Sequence, residues 1–308
     1  MNTIIIVIMA IVLIALLILL AGYIAFTIAC WRRTGKIMGS GAPNLAPFLE
    51  QMDAGRQWFL GKEPEKVEII SHDGLRLRGL YLINPEAKGT IILMHGYRMD
   101  GYTDFTCVYR KYYEAGFSLL NAFQRAHAES EGEYITFGIK ERFDCRDWAE
   151  YVSDRFGPEH SIVLDGLSMG ATTVLMASGL PLPENVKGII ADCGFTSPWD
   201  ELEHLLKTKY HLPIHPLLDA ADLCAKLLGG FSLKEYSTLE AMKTNTLPIL
   251  FLHGEEDIFV PTAFSVRAFE VCTAPKRLHT VPGAAHGVSY LVDKEGCDAA
   301  LDDFLSKM

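Results

Sequence analysis

The sequence is short of positive charge. Among 308 residues, 28 Lys and Arg face 38 Asp and Glu, for a formal net charge of −10. No basic stripe with interleaved aromatics offsets that deficit, which argues against a nucleic-acid partner. The seven cysteines, at positions 30, 107, 145, 193, 224, 272 and 297, include no C-x-x-C pair and are odd in number. Cys107, Cys145 and Cys193 are therefore expected to be small buried hydrophobes, and a reducing compartment suits the set. Cys193, near a strand end in Ala191-Asp-Cys-Gly194, is kept as a minor candidate nucleophile. A metal helix is missing too. His211 and His215 have i, i+4 spacing, but Pro213 lies between them, Pro216 follows, and the glutamate of H-E-x-x-H is absent. No metal or cofactor is expected.

Charge is also lacking at the N-terminus, where Met1-Asn-Thr3 precedes an apolar run from Ile4 to Ala29. That run of about 26 residues exceeds the ~20 needed to cross a bilayer. A cleaved signal would carry a positive n-region and a shorter apolar stretch, and Thr27-Ile-Ala29 before Cys30 is a poor lipoprotein signal. Residues 1–30 are read as a single transmembrane anchor. A lone span without an intramembrane charge offers no transport pathway. Arg32, Arg33 and Lys36 follow at once, so the positive-inside rule expects a cell-membrane protein whose main domain is cytoplasmic. Residues 31–61, with a short helical stretch at 47–59, read as a loosely packed juxtamembrane linker.

Residues 62–308 suit one α/β domain with a substantial core. A hairpin at 67–83 is followed by strands at 90–94, 118–123, 161–165 and 186–193. Helices at 105–115 and 140–156 fall between them, an alternation that argues a mostly parallel sheet with helices on both faces. Gly166-Leu-Ser-Met-Gly170 stands between the apolar strand 161–165 and the helix-forming stretch 171–178. A serine on a sharp strand-to-helix turn projects clear of the backbone. Glycines two residues either side remove Cβ atoms that would clash, and the free N–H groups of the following helix can hold an oxyanion. Ser168 is the candidate nucleophile.

Such a serine needs a base, and the base an orienting carboxylate. The strand-like run 247–253 breaks at Gly254 into Glu255-Glu256-Asp257, which puts acids at the C-terminal edge of a parallel sheet. Asp257 is the chosen acid, with Glu255 and Glu256 as rivals in the turn just after the strand. A short strand at 277–281 then leads into Pro282-Gly-Ala-Ala-His286-Gly287, which makes His286 the candidate base. The order Ser168, Asp257, His286 differs from that of the two large serine-protease folds. His95, His127 and His253 read as structural.

On these residues the chain resembles the α/β-hydrolase family of esterase- and lipase-like serine hydrolases, in particular small bacterial membrane-anchored members. Ser71-His-Asp-Gly-Leu-Arg-Leu-Arg-Gly79 is similar to the family's opening hairpin, and Thr90-Ile-Ile-Leu-Met-His-Gly-Tyr97 to its third strand and oxyanion loop. Gln124-Arg-Ala-His-Ala-Glu-Ser-Glu-Gly132 resembles its R-x-H-x-x-S-x-G loop, with Ala128 where Gly is commoner. The resemblance matches the acid to Asp257 and implies an oxyanion hole from the backbone N–H groups of Tyr97 and Met169, neither side chain having a chemical role. It also implies a small helical cap at about 195–246, a stretch rich in Leu and aromatics. The expected activity is cleavage of an ester or related acyl bond, through an acyl-enzyme and without a cofactor. Peptidase, thioesterase and acyltransferase activity, or a non-catalytic membrane-tethered binding module, are the alternatives on the same fold. The expected partners are a small-molecule or lipid-like acyl substrate and the bilayer.

Overall fold

The structure, a computed structural model, describes residues 3–32 and 45–308. It opens with helix α1 (Thr3–Cys30), 28 residues and about 42 Å long. Then come α2 (Leu49–Leu60), β1 (Glu65–Ile70), β2 (Arg76–Leu82) and β3 (Gly89–Met94). They are followed by α3 (Tyr109–Glu114), β4 (Phe117–Ala122), α4 (Glu141–Phe156), β5 (Ser161–Leu167), α5 (Met169–Ala177) and β6 (Val186–Asp192). Two helices, α6 (Pro198–Thr208) and α7 (Leu217–Cys224), precede α8 (Thr238–Thr244) and β7 (Ile249–Gly254). The chain ends with α9 (Thr262–Val271), β8 (Lys276–Val281), α10 (Ser289–Val292) and α11 (Lys294–Leu305).

The strands form one eight-stranded sheet in the order β1-β2-β4-β3-β5-β6-β7-β8. β1 with β2 and β2 with β4 are antiparallel, and every later pairing is parallel. In β3, β4 and β7 every residue is buried, because these inner strands are covered on both faces. One face packs on α4, α5, α8 and α9 through Trp148, Val174, Met242 and Ala268. The other packs on α2, α3, α10 and α11 through Phe59, Tyr109, Tyr290 and Leu301. The result is a three-layer α/β/α stack whose crossovers bring the C-terminal ends of β3, β5, β6, β7 and β8 to one edge. α8 lies in the main core with α5, whereas α6 and α7 share a third apolar cluster above that edge.

One expectation needs correction. Of the anticipated loose linker, 33–44 lies outside the described residues, but the part that follows is packed. Gly55 of α2 approaches the Thr106 backbone so closely that a Cβ there would overlap its carbonyl, and Phe59 is fully buried. The apolar helix α1 is in part a packed element as well. Its N-terminal two-thirds is exposed, but Gly22, Phe26 and Cys30 are buried, and a Cβ on Gly22 would strike Ala220 and Ala221 of α7. The last turns of α1 belong to the folded domain.

Candidate active site

Ser168 sits between β5 and α5 at φ 58° and ψ −115°, a backbone conformation that L-residues avoid. The two nearby glycines make the turn possible. A Cβ on Gly170 would overlap the Met94 carbonyl of β3, and one on Gly166 would overlap the Gly170 carbonyl. The turn is held from the neighbouring strand, because Ser168 N–H donates to the Asp192 carbonyl at 2.8 Å. Met169 then occupies the first position of α5, where N–H groups have no intrahelical acceptor.

His286 reaches this serine from the loop after β8, with Nε2 2.9 Å from Ser168 Oγ. Its Nδ1 lies 2.6 Å from Asp257 Oδ2, on the loop after β7. The other carboxylate oxygen accepts the N–H groups of Phe259 at 2.9 Å and Val260 at 2.8 Å. Burial alone would raise the Asp257 pKa, but hydrogen bonds from His253 and His286 and from the Val260 amide outweigh it and hold the carboxyl at about 2. Glu255 and Glu256 are exposed, and Glu255 accepts the Thr280 hydroxyl at 2.7 Å. Three side chains from three loops therefore form a continuous Ser–His–Asp relay.

The loop after β3 passes beside the serine. A Cβ on Gly96 would lie 3.6 Å from Ser168 Cβ, which brings the backbone of Tyr97 next to that serine. Gly96 N–H donates to Asp104 Oδ2 at 2.6 Å, and Arg98 N–H donates to His127 Nε2 at 2.9 Å. His127 can accept because its Nδ1–H is spent on the Arg125 carbonyl at 2.8 Å. His95 is arranged alike, donating from Nδ1 to the Gly96 carbonyl and accepting Gln124 N–H at Nε2. Burial pushes His95 down to about 4 and lowers His127 well below the ordinary histidine value, so both are neutral supports. Arg125 of the same loop motif bridges Asp73 and Asp144. Ala128 takes φ +42°, which is why glycine suits that position.

A cavity of about 1080 Å³ opens from Ser168 and His286. Its walls are mainly apolar, with Leu167, Ile190, Leu252 and Leu301 from the core and Leu205, Ile258 and Phe259 near the cap. Three acids in it carry no signature motif: Asp104, Asp165 and Asp192. Burial raises the pKa of Asp104 and Asp165 to about 7 and raises that of Asp192 as well. An aspartate within each of the apolar strands β5 and β6 was the signal available in sequence for the last two. Asp104, in a loop, gave none. Cys193 is buried at φ 50° and burial raises its thiol well above the ordinary value, which disfavours the nucleophilic thiolate. His211 is exposed, and His215 pairs with Asp219.

No family model matches the chain. The Bacillus subtilis protein YqkD is 28% identical over 240 residues, which span 78% of each chain. Bem46 of Schizosaccharomyces pombe is 24% identical over 258 residues, 80% of this chain and 77% of its own. Among solved structures, the Pyrococcus furiosus esterase Pf2001 superposes with a TM-score of 0.64 at 22% identity, covering 82% of this chain and 93% of that one. The α/β hydrolase GrgF of Penicillium does so at 0.62 and 19% identity, covering 79% and 98%. The chain has the α/β-hydrolase fold. In an α/β-hydrolase the loops at the C-terminal edge of the sheet form the site, and Ser168, Asp257 and His286 all lie on that edge.

Proposed function

We propose that this chain is a membrane-anchored serine hydrolase that cleaves a carboxylic ester. The reading is carried by the relay from Ser168 Oγ through His286 to Asp257, at 2.9 and 2.6 Å. Ser168 Oγ attacks the ester carbonyl while its proton passes to His286 Nε2. Asp257 fixes the imidazole with Nδ1–H inward and stabilises the imidazolium. The carbonyl oxygen becomes an oxyanion, held by the backbone N–H groups of Tyr97 and Met169. Collapse expels the alcohol, which takes the proton from His286 and leaves an acyl-serine. A water then gives its proton to the same base and attacks the acyl carbon, and the acyl–Oγ bond breaks as His286 returns the proton to Ser168 Oγ, which releases the acid. The esterase Pf2001 shares the fold, and the apolar cavity suits an acyl group, which favours ester cleavage over the other acyl-transfer activities.

The N-terminal helix is long and apolar enough to cross a membrane. In this proposal it is a single-pass anchor with the catalytic domain on the cytoplasmic side, working on a lipid-like or small acyl substrate. The deciding experiment is reaction of the detergent-solubilised chain with a fluorophosphonate. Labelling that maps to Ser168 and disappears in Ser168→Ala supports the assignment, and an unlabelled native chain refutes it.

A further inference from the structure

An α-helix ends with four carbonyls that have no intrahelical donor. In α1 these are the carbonyls of residues 27–30, and each has found a partner. Thr27 accepts from Trp31 N–H at 3.3 Å, while Cys30 accepts from Ile135 N–H at 2.7 Å. The two between them are taken by the oxyanion loop. Arg98 Nη2 donates to the Ile28 carbonyl at 2.6 Å, and the Tyr97 hydroxyl donates to the Ala29 carbonyl at 2.6 Å. A guanidinium at the negative end of a helix dipole is also favourably placed electrostatically.

The joint is built on both sides. Below it, α1 presents the small residues Gly22, Ala25 and Ala29, and Gly22 is pressed onto Ala220 and Ala221 of α7. Beside it, Arg32 continues the attachment, donating to the carbonyls of Ser130 at 2.5 Å and Ala128 at 2.8 Å. On the domain side, the Tyr97 ring stacks on Phe137 with centroids 5.2 Å apart, and the Arg98 guanidinium lies 4.6 Å from the Tyr97 ring centre. Arg98 itself is held at φ +58°, a conformation that persists only where surroundings enforce it. The amide of Tyr97 thus belongs to a residue whose side chain is bolted to the end of the apolar helix.

We infer that Tyr97 and Arg98 are positioning residues that couple α1 to the oxyanion loop, so that the last turns of the helix are part of the catalytic apparatus as well as a tether. The inference rests on the serine-hydrolase reading for its catalytic consequence, though the coupling itself does not. An oxyanion donor contributes only when its N–H points at the site where negative charge develops, and a small rotation of the Tyr97 peptide weakens that contribution. Loss of the joint should lower kcat and leave KM nearly unchanged, because the donor acts on the transition state more than on the bound ester.

The test uses the full chain in lipid nanodiscs, with Tyr97→Phe, Arg98→Ala and Gly22→Leu, and with Leu13→Ala on the exposed part of α1 as control. Two quantities are read: hydrolysis of a nitrophenyl ester, and backbone hydrogen exchange over 95–99. Tyr97→Phe keeps the backbone amide and ring stacking and removes only the hydroxyl. It is expected to cost about tenfold or more in kcat with KM within about twofold, with the pH profile unmoved. Gly22→Leu wedges α1 from α7 and is expected to accelerate exchange over 95–99, while Leu13→Ala changes neither quantity. Exchange over 95–99 that is unchanged in both Tyr97→Phe and Gly22→Leu overturns the coupling, whatever the activity. Faster exchange with undiminished kcat overturns the catalytic consequence. A native chain without turnover instead defeats the serine-hydrolase reading, and exchange still decides the coupling.

Discussion

His253 Nε2 lies 3.3 Å from Asp257 Oδ2, so the carboxylate that meets His286 has a second imidazole behind it. Nε2 of His253 also lies 2.9 Å from the Val260 carbonyl, which can only accept, so that nitrogen carries the proton. Its Nδ1 is fixed by Ser265 Oγ at 2.7 Å. The strand-end histidine therefore orients the carboxylate that meets His286. Asp257→Asn is expected to lower kcat by roughly 10³-fold or more, His286→Ala by at least as much, and His253→Phe by a smaller factor of about 10. Steady-state kinetics on one ester checks the order. Glu256→Gln serves as the control, and a larger loss there than in Asp257→Asn would make Glu256 the acid in place of Asp257.

Ser168→Ala removes a hydroxyl and keeps the backbone, so it is expected to abolish hydrolysis while moving the unfolding midpoint little. Hydrolysis that survives in this variant would rule out the serine mechanism, and Cys193→Ala in the same background would then show whether the buried thiol takes its place.

Sequence periodicity shows the fold where burial is symmetric. β3 and β7 are largely apolar runs because they are covered on both faces, and the elbow glycines are visible because a Cβ on Gly170 would meet Met94 and one on Gly166 would meet Gly170. What stays hidden depends on approach rather than composition. The packing of α2 relies on Gly55 meeting the Thr106 backbone, with only Met52 and Phe59 buried along the helix, too few for an apolar stripe. In α1 an apolar residue looks the same whether lipid or α7 faces it, so only the small residues at 22, 25 and 29 hint at docking. The side chains of Tyr97 and Arg98 were illegible for a similar reason, since their acceptors are backbone carbonyls that any sequence would supply.

The buried histidines give stability a pH dependence with a definite sign. Burial lowers the pKa of His95 to about 4. Its contribution is present above about 6.5, the unfolded value, and is lost as pH falls toward 4, because the unfolded chain binds a proton there that the folded chain refuses. Asp104, Asp144 and Asp165, raised to about 7 mainly by burial, act in the opposite sense. The wild-type profile mixes the two, so the informative quantity is the change in slope. His95→Gln is expected to lose less stability than the native chain between pH 7 and pH 4.5, by roughly 2 kcal/mol, in urea titrations. Equal slopes would mean that His95 titrates alike in both states.

Two backbone substitutions should act in opposite directions. Gly170→Ala forces a Cβ into the Met94 carbonyl and is expected to cost about 3 kcal/mol or to prevent folding. Ala128→Gly relieves a left-handed alanine at φ +42° in an exposed loop and is expected to add up to about 1 kcal/mol, the greater freedom of glycine in the unfolded chain offsetting part of the gain. Denaturant midpoints on the two variants measure both. Destabilisation by Ala128→Gly would show that the loop tolerates alanine without strain.

Membrane orientation is the remaining prediction, and burial of the native thiols decides how it must be tested. Cys30, Cys145, Cys193, Cys272 and Cys297 are buried, and only Cys107 and Cys224 are partly accessible. Burial raises the pKa of both accessible thiols, Cys107 to about 11, so either would react slowly with a maleimide whichever side it faced. Absence of labelling in the native chain would therefore be uninformative. Glu159→Cys, in the exposed turn between α4 and β5, supplies a reactive site far from the relay. Of the flanking cations, Arg33 and Lys36 lie outside the described residues, while Arg32 is bound to the carbonyls of Ser130 and Ala128. That attachment forms only once the domain has folded, so all three charges are available to retain the flank on the cytoplasmic side during insertion. In intact cells an impermeant maleimide is expected to spare Glu159→Cys until the membrane is broken. Labelling before lysis, with a cytoplasmic control protected, would put the catalytic domain outside.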